Sequence, residues 1–335
     1  MSAPLVRTAV ALLLGGLLWS PGQVRAADEG QEAYEWLMKI GRAARTLDYS
    51  GAFVYQHGTQ LEAVHILHKG RGVGAPRERL VSLNGTPREV IRNEREVICL
   101  LPDMNSAVVE YRKARGKHFP LLMPERLPDL GDLYAIRLDG RGRVAGRETQ
   151  IVLIMPRDEY RYGYRLWADR DTGLLLKAEL IDRRGRLLEQ FMFTHLAIGE
   201  SIPDAAFLPP TSGESGMRWY REEAIRPSPP PEGEQREPAW FAERLPEGFR
   251  LSMFLTRRGP VHRQPIEHLV YSDGLAAVSV FIEKREGDKP FMHGTRRLGA
   301  VHAFGRELGD YHLTAVGEVP AATVVMIGSS MRRRE

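Results

Sequence analysis

The chain has 335 residues, 43% of them hydrophobic and 27% charged, with a formal net charge of +4. Those proportions exclude a disordered or fibrous chain and leave room for two domains with their own cores. Cys99 is the only cysteine, which excludes an internal disulfide, and its setting in VICLL predicts a buried thiol.

Residues 1–26 read as an export signal. Arg7 precedes the apolar run at 8–19, and Val24 and Ala26 satisfy the small-residue rule, predicting cleavage before Ala27. A run of about 12 residues falls short of the roughly 20 that span a bilayer. Loss of Arg7 and Arg25 leaves a mildly basic protein. The expectation is a soluble periplasmic protein with no nucleic-acid partner, whose charge suits an anionic partner in the envelope.

Residues 31–47 carry Ala33, Trp36, Leu37, Ile40, Ala44 and Leu47 at three- and four-residue spacing, with Glu32, Glu35, Lys39 and Arg42 opposite. This pattern predicts an amphipathic helix that docks on the sheet after it. Strands are predicted at 51–57, 60–69, 77–83, 88–92, 97–101 and 106–111, with Gly58-Thr59 and Asn84-Gly85 as hairpin turns. Pro120, Pro124 and Pro128 then break the pattern, and 117–138 reads as an apolar flap, followed by a turn at 140–146.

Residues 151–196 read as four more strands. Tyr160, Tyr162, Tyr164 and Leu166 alternate onto one face, as do Leu174, Leu176, Ala178 and Leu180, and Phe191 and Phe193 align with Leu187. Turns are expected at 169–173 and 183–185. So many antiparallel strands in one sheet tend to curl. Prolines then accumulate between Pro209 and Pro238, and the domain boundary is expected at 225–238. Beyond it, strands are predicted at 249–256, 266–271, 276–283, 299–307 and 311–317, a helix at 320–327, and a basic tail at Arg332, Arg333 and Arg334. The predicted fold is mainly β with a few helices, of α+β class. A large unclosed antiparallel barrel occupies 27–224, the Pro-rich linker 225–238, and a smaller sheet-and-helix domain 239–335.

Nothing in the chain demands a catalyst. Gly213-Glu214-Ser215-Gly216 lacks the spacing of a nucleophile elbow. His65 and His68 point to opposite faces of a strand, which disfavours a shared metal. Asp169, Asp171 and Asp182 sit at turns, where Asp is favoured for local hydrogen bonding. The expectation is a protein without enzymatic activity, cofactor or metal. The aromatic stripe Phe53, Tyr55, Tyr160, Tyr162, Tyr164, Trp167, Phe191 and Phe193 suits core packing, and part of it also suits the wall of a lipid cavity. Arg257, Arg258, Arg263, Arg296 and Arg297 suit a solvated surface, and also lipid phosphates or an acidic peptide.

SGAFVYQHG (50–58), RERLVSLNGTPREVIR (77–92), the long block 156–194, LPEGFRL (245–251), YSDGLAAVSVFIE (271–283) and VGEVP (316–320) resemble the RseB/MucB family over nearly the whole mature chain. The resemblance implies a periplasmic negative regulator of the sigma-E/AlgU envelope-stress response. It implies a first domain similar to the lipoprotein carriers LolA and LolB. It further implies binding to the periplasmic region of a single-pass anti-sigma factor, RseA- or MucA-like, which is shielded from site-1 proteolysis of the DegS/AlgW type. Release would come through lipopolysaccharide or another lipid. The alternative is a periplasmic lipid or lipoprotein carrier of the LolA/LolB type. A homodimer, the identity of the lipid and the individual contact residues stay open.

Overall fold

The computed structural model describes residues 21–70, 76–111, 130–210, 216–221, 237–258, 265–285 and 291–334. Helix α1 (Pro21–Thr46) begins upstream of the predicted one. Its apolar stripe is the expected one, with Ala33, Leu37, Ile40 and Ala44 buried, and it lies across one end of a large sheet. That sheet is built from β1 (Tyr49–His57), β2 (Gln60–Lys69), β3 (Arg77–Ser82), β4 (Glu89–Arg92), β5 (Glu96–Leu101) and β6 (Ser106–Tyr111). It continues, after the short α2 (Leu130–Leu133), through β7 (Tyr134–Val144), β8 (Arg147–Pro156), β9 (Gly163–Asp169), β10 (Leu175–Ile181), β11 (Leu187–Ile198) and β12 (Arg218–Arg221).

The strand order is β12-β6-β5-β4-β3-β2-β1-β11-β10-β9-β8-β7. Strand β1 is the pivot, because it pairs with both β2 and β11 and so joins two meanders. Every pairing is antiparallel except β12 on β6. The outermost strands, β7 and β12, do not pair with each other, so the sheet is curled and unclosed. Residues of α1, β1 and β7–β11 fill one core on its inner face.

The second sheet has the order β14-β15-β16-β19-β18-β17, from β14 (Arg250–Arg258), β15 (Pro265–Ser272), β16 (Ala277–Lys284), β17 (Gly294–Leu298), β18 (Val301–Leu308) and β19 (Tyr311–Gly317). Helix α3 (Ala321–Ser330) packs on β18 and β19 and buries Val324 and Ile327. A two-stranded ribbon pairs β13 (Trp240–Ala242) with β20 (Met331–Arg333). The expected basic tail is therefore partly a strand, fixed because Arg332 and Arg333 lie opposite Phe241 and Trp240. Strand β17, whose five residues are all exposed, carries no buried alternation by which a sequence would reveal it.

Five expectations need correction. The segment 134–138, placed in the flap, opens β7, while 112–129 lie outside the described residues. No turn forms at Gly140. Its φ of +87° and the register shift between Leu138 and Arg141 make a bulge, and β7 runs on to Val144. Strand β9 begins at Gly163, so Tyr160 is in a turn and not on a strand face with Tyr164. Leu187 is exposed, because a register shift between Leu180 and Ile181 interrupts the alternation opposite it. Cys99 is half-buried, and burial pushes its thiol pKa up.

Candidate functional site

The aromatic stripe does not act as one wall. Phe53, Phe191 and Phe193 are buried together, edge-on, with ring centroids 5.7–6.3 Å apart. This geometry sets the positive edge of one ring against the negative face of the next. Tyr164 is buried beside them, and Tyr55 is half-buried. Trp167 has the opposite outlook. It sits on the outer face of β9, between buried Leu166 and Ala168, with Lys177 Nζ 4.4 Å from its ring centroid. Two recesses, of about 540 and 430 Å³, lie elsewhere on the molecule and are lined by none of the eight aromatic residues.

Tyr160 and Tyr162 belong to a different feature, the seam between the two sheets. The turn at 157–162 is shaped by Asp158, whose Oδ1 accepts the Tyr160 N–H at 2.9 Å. That turn aims Arg161 inward, and its side chain is 0% exposed. Asp158 takes the Arg161 Nε and Nη2 hydrogens at 3.0 and 2.7 Å, a two-pronged grip. From the second sheet, Asp273 Oδ2 accepts from Nη1 at 2.6 Å, and the Glu247 carbonyl accepts from Nη2 at 2.6 Å. The Tyr134 and Phe249 rings each lie 5.4 Å from the guanidinium carbon, one from each unit. Burial pushes the Arg161 pKa down, but the Asp158 hydrogen bonds and the Asp273 charge outweigh it and hold it above its ordinary value.

Asp273 is committed on both oxygens. Its Oδ1 accepts from the Leu275 and Ala276 N–H groups at 2.8 and 2.7 Å and so fixes the β15–β16 turn. Its Oδ2 also accepts the Tyr134 hydroxyl at 2.9 Å. Burial, with the Asp273 charge second, raises the Tyr134 pKa far above its ordinary value, so this hydroxyl stays a donor.

Three further contacts cross the seam. Thr323 Oγ1 donates to the Tyr160 carbonyl at 2.6 Å. The Tyr162 hydroxyl lies 3.4 Å from His302 Nδ1, which itself sits 2.8 Å from the Val319 carbonyl. Glu189, from β11, accepts the Ala300 N–H at 3.2 Å and the Tyr55 hydroxyl. Burial lifts the Tyr162 pKa to about 12, moderated by Arg297.

Arg297 therefore stands near the seam, on the exposed strand β17, where its Nε donates to the Gly299 carbonyl at 2.9 Å. Arg296 neighbours it on the same strand and is exposed. Arg257 and Arg258 end β14, and Arg263 lies outside the described residues. Sequence reasoning missed Arg161, Asp158 and Asp273. Each looked like an ordinary surface or turn residue, and only the meeting of segments 112 residues apart makes them a cluster. It also passed over a row along paired strands, in which buried Tyr49, His68 and Glu78 lead to half-buried Arg92. There His68 stacks on Tyr49 at 4.6 Å and its Nδ1 lies 3.5 Å from Glu78.

Residues 32–211 match the family model of the MucB/RseB N-terminal domain, and residues 234–332 that of the MucB/RseB C-terminal domain. The sigma factor AlgU regulatory protein MucB of Pseudomonas aeruginosa is 34% identical over 334 residues, covering 97% of this chain and 97% of that one. The sigma-E factor regulatory protein RseB of Escherichia coli (strain K12) is 25% identical over 335 residues, covering 97% of this chain and 96% of that one. The solved complex of Pseudomonas aeruginosa MucA/MucB matches with a TM-score of 0.70 at 32% identity, over 91% of this chain and 99% of the matched chain. A crystal structure of MucB in complex with MucA(peri) matches with a TM-score of 0.68 at 32% identity, over 90% and 99%. With both halves matched in order and a relative at 34% identity across the chain, this protein belongs to the MucB/RseB family.

Proposed function

We propose that this protein is a periplasmic regulator that binds the periplasmic region of a single-pass anti-sigma factor. Bound there, it shields that region from site-1 proteolysis, and a lipid or lipopolysaccharide signal releases it. The carrying observation is the likeness across both halves to MucB solved together with MucA. The Arg161 cluster supports the reading, because a buried charged seam holds the two units in one arrangement, as a preorganised binding surface requires. The exposed Arg296 and Arg297, beside that seam, suit an acidic stretch of the partner.

The test is reconstitution. Residues 27–335 are mixed with the periplasmic segment of a single-pass anti-sigma factor from the same organism and run on a sizing column at micromolar concentration. A stable complex, and slower cleavage of the segment by a site-1 protease, are expected. Absence of a complex would refute the proposal. A protein that bound and transferred lipoprotein without forming the complex would instead be a carrier.

A further inference from the structure

Four connections meet at one end of the large sheet, where β1, β3, β5 and β10 finish and β2, β4, β6 and β11 start. Each holds a large apolar side chain out to solvent. Leu61 follows the β1–β2 turn, Leu83 opens the β3–β4 turn, Met104 lies between β5 and β6, and Leu187 follows the β10–β11 turn, at 56, 55, 64 and 45% exposure. The β17–β18 turn arrives at the same end. It seats Ala300 in the core of the large sheet, with its N–H on Glu189 opposite His57, and leaves Leu298 outside at 76% exposure. Among the described residues nine large hydrophobics are exposed, and five of them share this rim. Scattered single residues of that kind need no explanation, whereas a concentrated set marks a contact surface.

The tips are fixed by their own hydrogen bonds. Asn84 Oδ1 accepts the Ala63 N–H at 2.7 Å, its Nδ2 donates to the Leu61 carbonyl at 2.9 Å, and the Leu83 N–H donates to the Ala63 carbonyl at 2.8 Å, which sets Leu61 and Leu83 side by side. Asp182 Oδ1 accepts the Arg184 and Arg186 N–H groups at 2.8 and 2.9 Å, and its Oδ2 accepts Arg186 Nε at 2.6 Å. Arg183 and Arg184 stand exposed on that turn. Arg186 is matched by Asp182 and Arg88 by Glu62 at 3.8 Å, so Arg183 and Arg184 set the sign of these turns against the single exposed Asp103. Arg296 and Arg297, just before Leu298, add to it. Along the sheet the rim runs from Met104, after β5, to Leu187, at the start of β11. That distance is roughly 24 Å at about 4.8 Å between neighbouring strands.

We propose that this rim docks the protein on the surface of an anionic phospholipid bilayer. The exposed leucines and Met104 enter the boundary between headgroups and acyl chains, and Arg183 and Arg184 lie at the level of the phosphates. Apolar tips on separate turns suit a fluid surface, which receives each one independently. A peptide would need a continuous apolar groove, and the recess at this end, about 540 Å³, is walled mostly by polar residues such as Gln60, Glu62, Ser82, Asn84 and Thr86. The contact lies outside the curled sheet, since none of Leu61, Leu83, Met104, Leu187 and Leu298 belongs to its core. Docking of this kind needs no protein partner, and it holds the molecule in the plane from which a membrane-anchored partner emerges.

The experiment is co-sedimentation of residues 27–335 with vesicles, in the absence of any anti-sigma segment. One set is phosphatidylethanolamine and phosphatidylglycerol in equal parts, the other phosphatidylcholine alone. Binding to the anionic set should be about tenfold stronger at low salt, and the preference should shrink as salt screens the arginines. Replacing Leu61, Leu83 and Leu187 together by Ser should weaken anionic binding about tenfold. Arg183→Gln with Arg184→Gln should weaken it about fivefold, and carries the test if the triple variant folds poorly. Leu208→Ser, equally exposed but beside the β4–β5 turn at the other end of the sheet, should change nothing. Equal binding of wild type to both sets would overturn the proposal, as would rim variants that bind as wild type does. Rim variants that lose the anti-sigma complex but keep the vesicles would give this face to the protein partner instead. Absent vesicle binding beside an intact anti-sigma complex on the sizing column would reject the docking face and leave the partner assignment standing.

Discussion

Arg161 Nη1 and Asp273 Oδ2 meet 2.6 Å apart across the seam, with both side chains fully withdrawn from solvent. Removing two charges from water is costly, and their attraction repays it only when the remaining donors and acceptors are also satisfied. Here they largely are, by Asp158, the Glu247 carbonyl, Tyr134 and two turn amides. The pair is a poor source of net stability. It is a strong constraint on how the two sheets sit, because separating them leaves both buried charges without their partners.

Arg161→Met should therefore destabilise the protein by about 3–5 kcal/mol, the usual cost of stranding a buried partner. Asp273, fully buried, is left without its cation, and Asp158 loses its two-pronged partner. Urea denaturation of the variant should show the loss, with the seam peptides at 245–249 and 271–276 exchanging hydrogen faster than β9 and β10. An unchanged midpoint would show that the cluster does not hold the seam.

Gly248 has a φ of +76°, and a β-carbon there would overlap the Leu133 side chain of α2. Gly248→Ala combines a left-handed backbone penalty with overpacking and should cost about 2–4 kcal/mol. Adding Leu133→Ala should recover part of that loss, since the two changes share one space. Strictly additive melting data for the double variant would contradict the close approach.

Asp169 supplies a pH dependence. Burial alone would raise its pKa, but hydrogen bonds from Arg147 and Thr172 outweigh burial and hold it below its ordinary value of 3.8. A carboxyl depressed on folding adds stability that is complete above its unfolded pKa and is lost as pH falls through the lower native one. Arg147→Met should cost about 1.5–3 kcal/mol at pH 7, the range for a charged hydrogen bond. Its deficit relative to wild type should shrink below about pH 4. Chemical denaturation from pH 7 to pH 2.5 measures both limbs, and a deficit constant with pH would exclude the pair as its source.

Arg296 and Arg297 should matter for partner capture and little for folding, since both are exposed on β17. Reversing both, as Arg296→Glu with Arg297→Glu, should weaken the anti-sigma complex about tenfold at low salt. Most of that loss should lie in the association rate, and it should fade as salt screens the charges. Stopped-flow association at two salt concentrations reads this directly, and unchanged rates would remove these residues from the interface.

Legibility in the sequence followed from local physics. The stripe at Ala33, Leu37, Ile40 and Ala44 announced α1, and alternation through Leu174–Leu180 and Phe191–Phe193 announced β10 and β11, because each element buries one face. The bulge at Gly140 was not legible, since a glycine that bends a strand and one that ends it look alike without the partner strand. Strand β17 was not legible either, because its five residues are all exposed and show no buried alternation.

The sequence by itself determined that the chain folds as sheets with aromatic inner faces, and its longer motifs carried the family resemblance. Both rest on which residues lie next to one another along the chain. Only the tertiary structure decided that Asp158, Arg161 and Asp273 form one cluster, and that Leu275 and Ala300 complete a core they are far from in sequence. A buried ion pair or a plug is a relation between surfaces. Its cost and its value arise when docking excludes water, and nothing local encodes that.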